Sequence, residues 1–288
     1  MKGRSQAKLT ALVTPPPHGP PWDSPIAQAP LAFVDLEMTG LDADRDRVVE
    51  LCIERTEGDG PVARLSTLVD PRERAGGGAE VHGIVADALV GAPPFERVAG
   101  DVLAILEGAV VVAHAASWDV RFLQAEFTRV GQSFDVPHWL DTVVLARRAF
   151  AFPSYSLGAL CGELGIPRGR AHRADSDVLA LRAVFARCVE ALEPVSVRDL
   201  WDVRVGQGRA RPAIVDACQA AAGHGSPVVL TYRAARRASE RLEMVLLEVL
   251  SDLDPPRVVG YLLPGRGRRT LRADRILRVE PTSVPPRR

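Results

Sequence analysis

The chain has 288 residues, 47% of them hydrophobic, and its 36 basic residues equal its 36 acidic ones in number. This length predicts two domains of modest size, and the balanced charge neither requires nor excludes a nucleic-acid partner. The sequence has no apolar run of the ~18 residues that a membrane helix needs and no secretory signal, and its four cysteines form no Cys-x-x-Cys pair. These features argue against a membrane protein, a zinc ribbon and a disulfide framework, and we expect a cytoplasmic location.

A leader and an α/β domain are predicted first along the chain. Residues 1–29 are rich in proline and have little periodicity, which predicts a disordered tail. Over residues 30–194, short apolar runs alternate with helical periodicities, which is typical of an α/β domain. The predicted strands are 31–37, 48–55, 63–69 and 109–113, and the predicted helices are 95–107, one that begins near Trp118, and 177–192.

A basic second unit is predicted after a Gly- and Arg-rich linker at residues 195–212. Its candidate elements are a helix at 214–222, strands at 227–233, 258–263 and 269–279, and a strand or strand pair at 240–249. Short strands with Gly and Pro turns predict a small barrel over residues 213–283. From Arg204 to the C-terminus there are 16 Arg against 8 Asp plus Glu, a net charge of +8, which leaves −8 on the preceding residues. This asymmetry favours a basic accessory module beside an acidic site.

Two acids lie two residues apart on the first predicted strand. They are Asp35 and Glu37, within Phe33-Val-Asp-Leu-Glu-Met-Thr-Gly40. Side chains two apart on a strand share a face, so these carboxylates repel each other, and a bound divalent cation would offset that cost. Taken alone, the pair is equally compatible with acids that simply reach solvent.

Two further motifs supply acids and a histidine. Asp119 follows a buried strand and stands in the first turn of a helix, a usual position for catalytic side chains, although the helix dipole also favours an acid there. Asp177 begins the last helix of the domain, and His172 lies on the loop before it. A neutral imidazole can accept a proton from an attacking water. Asp175 suits a capping role, so we favour Asp177 as the ligand.

Phosphodiester hydrolysis with paired divalent cations needs hard oxygen ligands and a base, and these motifs supply both. The supporting motifs between them are Val81-His-Gly-Ile84, Trp118-Asp-Val-Arg-Phe-Leu123, Leu140-Asp-Thr142 and Leu164-Gly-Ile166. With all of these, the span from about Leu31 to Glu193 resembles the DnaQ-like exonucleases of the Asp-Glu-Asp-Asp-His class. That group includes the proofreading subunit of bacterial replicative polymerases, and the resemblance implies an RNase H-like fold with a mixed central sheet and flanking helices.

The resemblance also implies an activity, namely the removal of nucleotides from a 3′ end with two Mg²⁺ or Mn²⁺ ions as cofactors. The implied metal ligands are Asp35, Glu37, Asp119 and Asp177, and the implied general base is His172. The implied substrate-binding residues are Met38, Thr39, Gly40 and His82. We expect single-stranded 3′ ends as substrate, DNA ahead of RNA, and a DNA polymerase or a repair complex as the class of partner.

Three positions bear on alternatives. Ala115 stands where the family usually has Asn. This replacement would remove a hydrogen bond to substrate or loop. The tyrosine-based sister class is disfavoured because its tyrosine would stand four residues before Asp177, where this chain has Arg173. Residues 35–41 read like the first motif of oligoribonucleases, so trimming of very short RNA is one alternative. Another is a nucleic-acid-responsive regulatory protein whose exonuclease-like domain is weakly active.

The C-terminal unit resembles a WYL domain, an SH3-like small barrel, over residues 227–233 and 269–276, although the Trp-Tyr-Leu triplet itself is absent. The expected architecture is therefore an α/β exonuclease domain followed by a small, mostly-β SH3-like barrel. Candidates for base stacking and phosphate contact in the barrel are Tyr232, Arg233, Arg272 and Arg275. A core tyrosine with solvated arginines is the alternative of equal weight.

Overall fold

The computed structural model describes residues 14–58, 60–72, 78–205, 210–233, 239–253, 255–265 and 267–282, which form two five-stranded sheets. The first sheet consists of β1 Leu31–Met38, β2 Val48–Glu57, β3 Gly60–Leu68, β4 Val110–Ala113 and β5 Trp139–Asp141. Around it lie α1 Ala79–His82, α2 Phe95–Leu106, α3 Ser117–Arg129, α4 Thr142–Ala149, α5 Leu157–Leu164, α6 Ala174–Leu192 and α7 Val197–Val205.

The first sheet is mixed, with strand order β3-β2-β1-β4-β5. β1, β2 and β3 are antiparallel, whereas β4 and β5 run parallel to β1. The expected α/β domain with a mixed sheet is confirmed, and each predicted strand and helix of this domain is present. β5 was not predicted, because its three residues are too few to show a periodicity.

Alternation along β1 decides which layer each side chain faces. Leu31 and Phe33 belong to the core under α4, α5 and α6, while Ala32 and Val34 belong to the core under α2 and α3. Phe33 meets Phe185 of α6 edge to face, with ring centroids 5.4 Å apart. Since the alternation continues, residues 35 and 37 project on the α6 side of the sheet.

The prediction of a disordered leader is wrong for residues 14–29, and residues 1–13 lie outside the described residues. Trp22 is buried and meets His138 edge to face, with ring centroids 5.9 Å apart. The guanidinium of Arg198 donates to the carbonyls of Pro16 and Pro17 at 2.9 and 2.7 Å. Proline content therefore misled the prediction, because a buried tryptophan and the hydrogen bonds from Arg198 dock this segment on the domain.

The expected linker at 195–212 is also corrected, because most of its first half is α7. Val197, Leu200 and Trp201 of this helix are buried in the core under α6. Residues 206–209 of the expected linker lie outside the described residues. The first domain thus continues through a helix beyond Glu193, the residue near which the sequence analysis had placed the end of this domain.

The second sheet follows α8 Pro212–His224 and contains β6 Pro227–Arg233, β7 Ser239–Leu250, β8 Arg257–Leu262, β9 Gly267–Arg272 and β10 Ile276–Pro281. Its order is β10-β6-β7-β8-β9, and all the recorded strand pairs are antiparallel. Ile214 and Cys218 of α8 pack on Leu230 and Met244. The prediction of one final strand at 269–279 is wrong, because a 3₁₀ turn at Ala273–Arg275 divides it into β9 and β10.

Arginine side chains join the two units. Arg148 of α4 donates to the carbonyl of Asp274 at 3.1 Å, and Arg233 of β6 donates to the Tyr155 hydroxyl at 3.1 Å. Burial lowers the pKa of the Arg148 guanidinium, and the charge of Asp274 acts in the opposite direction. The contacts are polar and directional, so they hold the second sheet in a defined position against α4 and the loop before α5.

Among the described helices, none combines the length and the hydropathy that crossing a membrane requires. Cys52, Cys161, Cys188 and Cys218 are free, buried thiols. Burial raises the pKa of both Cys188 and Cys218 to about 12, so these thiols stay protonated and pack as small apolar groups.

Candidate active site

The predicted acids converge from β1, α3 and α6. Glu37, Asp119 and Asp177 are buried, and Asp35 is half-buried. Potential ligand atoms of Glu37, His172 and Asp177 all lie within 4.8 Å of one another. Burial raises the pKa of Asp35 well above its ordinary value, and the charges of Asp119, Asp177 and Glu37 add to this rise. The structure therefore brings the four acids and the histidine into one cluster.

Carboxylate repulsion dominates the electrostatics of this cluster. Burial raises the pKa of Glu37 to about 7, with further contributions from the charges of Asp177 and Glu50. Burial also raises the pKa of Asp119, although a hydrogen bond from the Leu36 backbone opposes the rise. Carboxylate oxygens with one imidazole are a donor set that suits Mg²⁺ and Mn²⁺, and such a cation would favour the charged forms. The residues present therefore fit divalent metal ions.

An arginine that the sequence analysis did not single out binds one of these acids. Arg168 lies on the loop between α5 and α6, and its Nε donates to Oδ1 of Asp177 at 3.0 Å. Its Nη2 donates to Oδ1 at 2.7 Å and to Oδ2 at 2.9 Å. The backbone N–H of His172 donates to the same Oδ2 at 3.1 Å. One indication of this contact was present in the sequence, namely the high arginine content of the loop between α5 and α6.

His172 itself is exposed and has a φ of 56°, in the left-handed region. A non-glycine residue adopts this conformation at a cost, and such strain often marks a functional position. The conformation lets the backbone N–H bond Asp177 while the ring is near Glu37. Asp175, by contrast with Asp177, is exposed, and its carboxylate accepts a hydrogen bond from the backbone N–H of Ser176 at 2.7 Å.

Glu50 of β2 is a further buried acid that the sequence analysis missed. It pairs with Glu37 across the β1–β2 ladder. Arg173 donates to it three times at 2.7–3.1 Å, and the Ala174 N–H donates at 3.0 Å. Arg173 stands where the sister class would have its tyrosine, and here it neutralises Glu50. The sequence did not predict this acid, because Glu50 lies opposite Glu37 only in the register in which β1 and β2 pair.

The predicted substrate-side residues Thr39 and Gly40 lie in the turn after β1. The Thr39 hydroxyl donates to Asp46 at 3.2 Å and accepts from the Arg47 backbone at 3.0 Å. A Cβ on Gly40 would collide with the Asp46 carboxylate. Thr39 is largely buried, so its side chain braces the turn, and contact with substrate would fall to the backbone.

The Met38 carbonyl and the His82 ring both lie close to Gly78. A Cβ on Gly78 would lie 2.5 Å from the Met38 carbonyl oxygen and 2.8 Å from Nε2 of His82. His82 is buried, and its Nδ1 accepts a hydrogen bond from the Ile84 N–H at 3.0 Å. The imidazole thus shapes the loop around α1 beside the end of β1, and direct contact of His82 with substrate stays a prediction.

His114 and Ala115 connect the site to neighbouring loops. His114 hydrogen-bonds the Thr142 hydroxyl at 2.9 Å and the Tyr155 carbonyl at 3.0 Å, and burial lowers the pKa of its imidazole. Ala115 has a φ of 62°, and its N–H donates to Asp141 at 3.1 Å. Asn tolerates such a φ better than Ala does. The Asn that the family usually has here would therefore suit the backbone.

The four C-terminal candidates lie in different local environments. Tyr232 is buried in the core of the second sheet. Arg233 bonds the Tyr155 hydroxyl, and Arg272 pairs with Asp274 at 2.9 Å. Arg275 is half-buried in the 3₁₀ turn between β9 and β10. Tyr232 is therefore a core residue, as the alternative had it, whereas the three arginines are partly buried and not simply solvated.

A mixed α/β sheet with this acidic cluster on its middle strand, β1, defines an exonuclease fold. The structure superposes on E. coli exonuclease I in complex with a dT13 oligonucleotide with a TM-score of 0.53, covering 81% of this chain and 55% of that one. At 15% identity this likeness shows the fold alone. Residues 32–185 match the exonuclease (RNase_T) family model, and the chain belongs to this exonuclease family.

Sequence relatives include DNA polymerase III proteins. The chain is 32% identical over 166 residues to DNA polymerase III subunit epsilon of Aquifex aeolicus, a match that covers 55% of this chain and 80% of that protein. It is 31% identical over 200 residues to the PolC-type DNA polymerase III of Thermotoga petrophila, a match that covers 69% of this chain. The matched region spans only 15% of that relative's length.

Proposed function

We propose that this protein is a metal-dependent 3′-to-5′ exonuclease of the Asp-Glu-Asp-Asp-His class that acts on single-stranded nucleic acid, with DNA favoured over RNA. Its metal ligands are Asp35, Glu37, Asp119 and Asp177, and its general base is His172. One observation carries the proposal: acids from three separate elements meet a loop histidine, with ligand atoms of Glu37, His172 and Asp177 within 4.8 Å of one another.

The chemistry is divided between the carboxylates and the histidine. Two Mg²⁺ or Mn²⁺ ions held by the four acids would favour ionisation of water and stabilise charge on the leaving 3′ oxygen. His172 accepts the proton of the attacking water and, being exposed, passes it to solvent. The backbone around Met38, Thr39 and Gly40 seats the terminal nucleotide, and the loop that His82 braces forms the adjoining wall.

Polarity and metal dependence are tested with single-stranded DNA labelled at the 5′ or the 3′ end. Stepwise shortening of the 5′-labelled strand, with release of a labelled mononucleotide from the 3′-labelled strand, is expected with Mg²⁺ or Mn²⁺ and not with a chelator. Asp119→Asn and His172→Gln should each lower kcat at least ~100-fold. Asp175→Asn is the matched control, an exposed acid on the same helix as Asp177, and should retain activity. Equal activity of all variants would refute the assignment.

DNA preference is tested by comparing turnover of single-stranded DNA, a mismatched duplex and a short RNA of matched length. A higher kcat/KM for the DNA strand supports the proposal. A preference for di- to pentaribonucleotides would instead favour the oligoribonuclease alternative, which rests on residues 35–41. Binding without turnover of any of the three would favour a regulatory protein with a weakly active domain.

For the C-terminal unit we propose a WYL-like, SH3-like module over residues 213–283 that adds affinity for nucleic acid. The supporting observations are the net charge of +8 from Arg204 onward and the exposure of Arg268 and Arg269 on β9. Changing both arginines to Ala should weaken binding to long single strands and reduce the salt slope by ~0.7 per lost phosphate contact. An unchanged slope would exclude these arginines as contacts. A polymerase or repair partner and a cytoplasmic location stay predictions.

A further inference from the structure

Asp177 has little capacity left for another partner. A carboxylate offers about four lone-pair positions. Oδ1 accepts from Nε and Nη2 of Arg168, and Oδ2 accepts from the same Nη2 and from the His172 N–H. The His172 donor is a backbone group within the loop, whereas the Arg168 donors lie at the end of a flexible side chain. Any further ligand of Asp177 must therefore displace Arg168.

The structure also provides a place for the Arg168 side chain. A Cβ on Gly158 of α5 would lie 2.7 Å from Nη1 of Arg168, so the absence of a side chain there leaves room for the guanidinium. Arg168 keeps 20% of its side-chain surface, whereas Asp177 keeps 6%. The pair is thus mostly shielded from water, which strengthens its charge-assisted bonds.

We propose that Arg168 is a resident cation that competes with the divalent metal for Asp177, so that metal binding requires the guanidinium to leave. This inference rests on the proposed function, in which Asp177 is a metal ligand. The guanidinium opposes the rise in the pKa of Glu37, so it also relieves part of the carboxylate repulsion in the cluster. Arg168 therefore stabilises the cluster while limiting its affinity for metal.

The competition is measured with Mn²⁺ alone, by calorimetric titration of the chelator-stripped full chain without nucleic acid. Arg168→Ala should bind Mn²⁺ at least ~10-fold more tightly, because no charge-assisted pair has to be broken. Arg168→Lys keeps the charge but loses the planar fork, so its affinity should fall between those of the wild type and Arg168→Ala. The melting temperature without metal should fall in Arg168→Ala and rise further on Mn²⁺ addition than in the wild type.

Arg170→Ala is the matched control for charge. It removes an equal charge two residues away on the same loop, from an exposed side chain whose Nη2 lies near Gly83. If Arg168 acted only through long-range electrostatic repulsion of Mn²⁺, Arg170→Ala and Arg168→Ala would tighten Mn²⁺ binding equally. This result would overturn the inference. A tightening confined to position 168 supports direct competition.

Gly158→Ala provides a second route that leaves Arg168 in place. Its added methyl group should push Nη1 away from α5, weaken the pair with Asp177 and tighten Mn²⁺ binding, while Ala favours the helix. Unchanged Mn²⁺ affinity in both Gly158→Ala and Arg168→Ala would refute the competition. If the wild type and every variant fail to bind Mn²⁺, the proposed function itself fails, which is a distinguishable result.

Discussion

Trp22 and Trp201 meet edge to face, with ring centroids 5.6 Å apart and ring planes at 72°. His138 packs against both, at 5.9 Å from Trp22 and 5.0 Å from Trp201. A segment before β1 and a helix after α6 therefore close on each other at one edge of the exonuclease domain.

Trp22→Ala should lower the free energy of unfolding by about 3–5 kcal/mol, because it removes a buried aromatic side chain and leaves a cavity beside Trp201. Urea denaturation measures this change. Trp118→Ala is the control, since Trp118 is 41% exposed and its loss should cost much less. A cost for Trp22→Ala as small as that expected for Trp118→Ala would mean that docking of Trp22 contributes little to stability.

Ala115→Asn should raise the free energy of unfolding by about 0.5–1 kcal/mol, because Asn tolerates the left-handed φ of 62° better than Ala does. Ala104→Asn makes the same chemical change at an exposed position of α2, where the lower helix propensity of Asn should destabilise the protein. Opposite signs at positions 115 and 104 are the expected result. Destabilisation at both would contradict the backbone argument.

Glu37 should make stability depend on pH near neutrality. Its pKa rises from an ordinary 4.5 to about 7, so the folded chain binds a proton that the unfolded chain releases between these values. The contribution of Glu37 to the free energy of unfolding therefore falls as pH rises from 4.5 to 7 and is lowest above 7. Glu37→Gln abolishes this titration.

The measurement is the stability of Glu37→Gln minus that of the wild type, taken with chelator at pH 5 and pH 8. The difference should be larger at pH 8, where the wild-type carboxylate carries its charge among Asp177 and Glu50. Glu163→Gln, an exposed change on α5, provides the comparison. A difference that is equal at both pH values would contradict the raised pKa.

Arg173→Ala should lower the free energy of unfolding by about 3–5 kcal/mol, because it leaves Glu50 as an uncompensated buried charge. The Glu50 side chain keeps only 4% of its surface. Arg187→Ala removes the arginine of an exposed pair with Glu190 and should cost under ~1 kcal/mol. Thermal and urea unfolding compare the two variants. Adding Glu50→Gln to Arg173→Ala should recover part of the loss, and a further loss would argue against charge burial as the cause.

Arg233 of the second sheet and Tyr155 of the loop before α5 should be energetically coupled. The Tyr155 hydroxyl accepts from Arg233 at 3.1 Å and donates to the Phe150 carbonyl at 3.0 Å. A double-mutant cycle with Arg233→Ala and Tyr155→Phe should give a coupling of ~0.5–1.5 kcal/mol in unfolding free energy. The same cycle with Arg241→Ala, whose arginine pairs with Glu280, should give none. Additive effects of Arg233→Ala and Tyr155→Phe would show that the hydroxyl bond does not hold the units together.

Local sequence patterns were enough to predict much of the secondary structure of the exonuclease domain. Period-two alternation on β1 placed Asp35 and Glu37 on one face, and helical periodicity placed Asp177 at the start of a long helix. These features depend on residues a few positions apart, so a sequence encodes them directly. The same reasoning failed for residues 269–279, because a three-residue 3₁₀ turn leaves little trace in an apolar pattern.

The partners of the charged groups were decided only by the tertiary structure. Glu50 reaches Glu37 through the register of β1 and β2, and Arg173 reaches Glu50 from 123 positions away. Trp22 and Trp201 likewise meet only because both ends of the domain return to one edge of the sheet. Sequence by itself singled out the residues that we propose to bind metal and to take a proton. Folding decided which cations and aromatic rings surround them, because buried charges and apolar rings select partners by proximity in space, which residue spacing does not record.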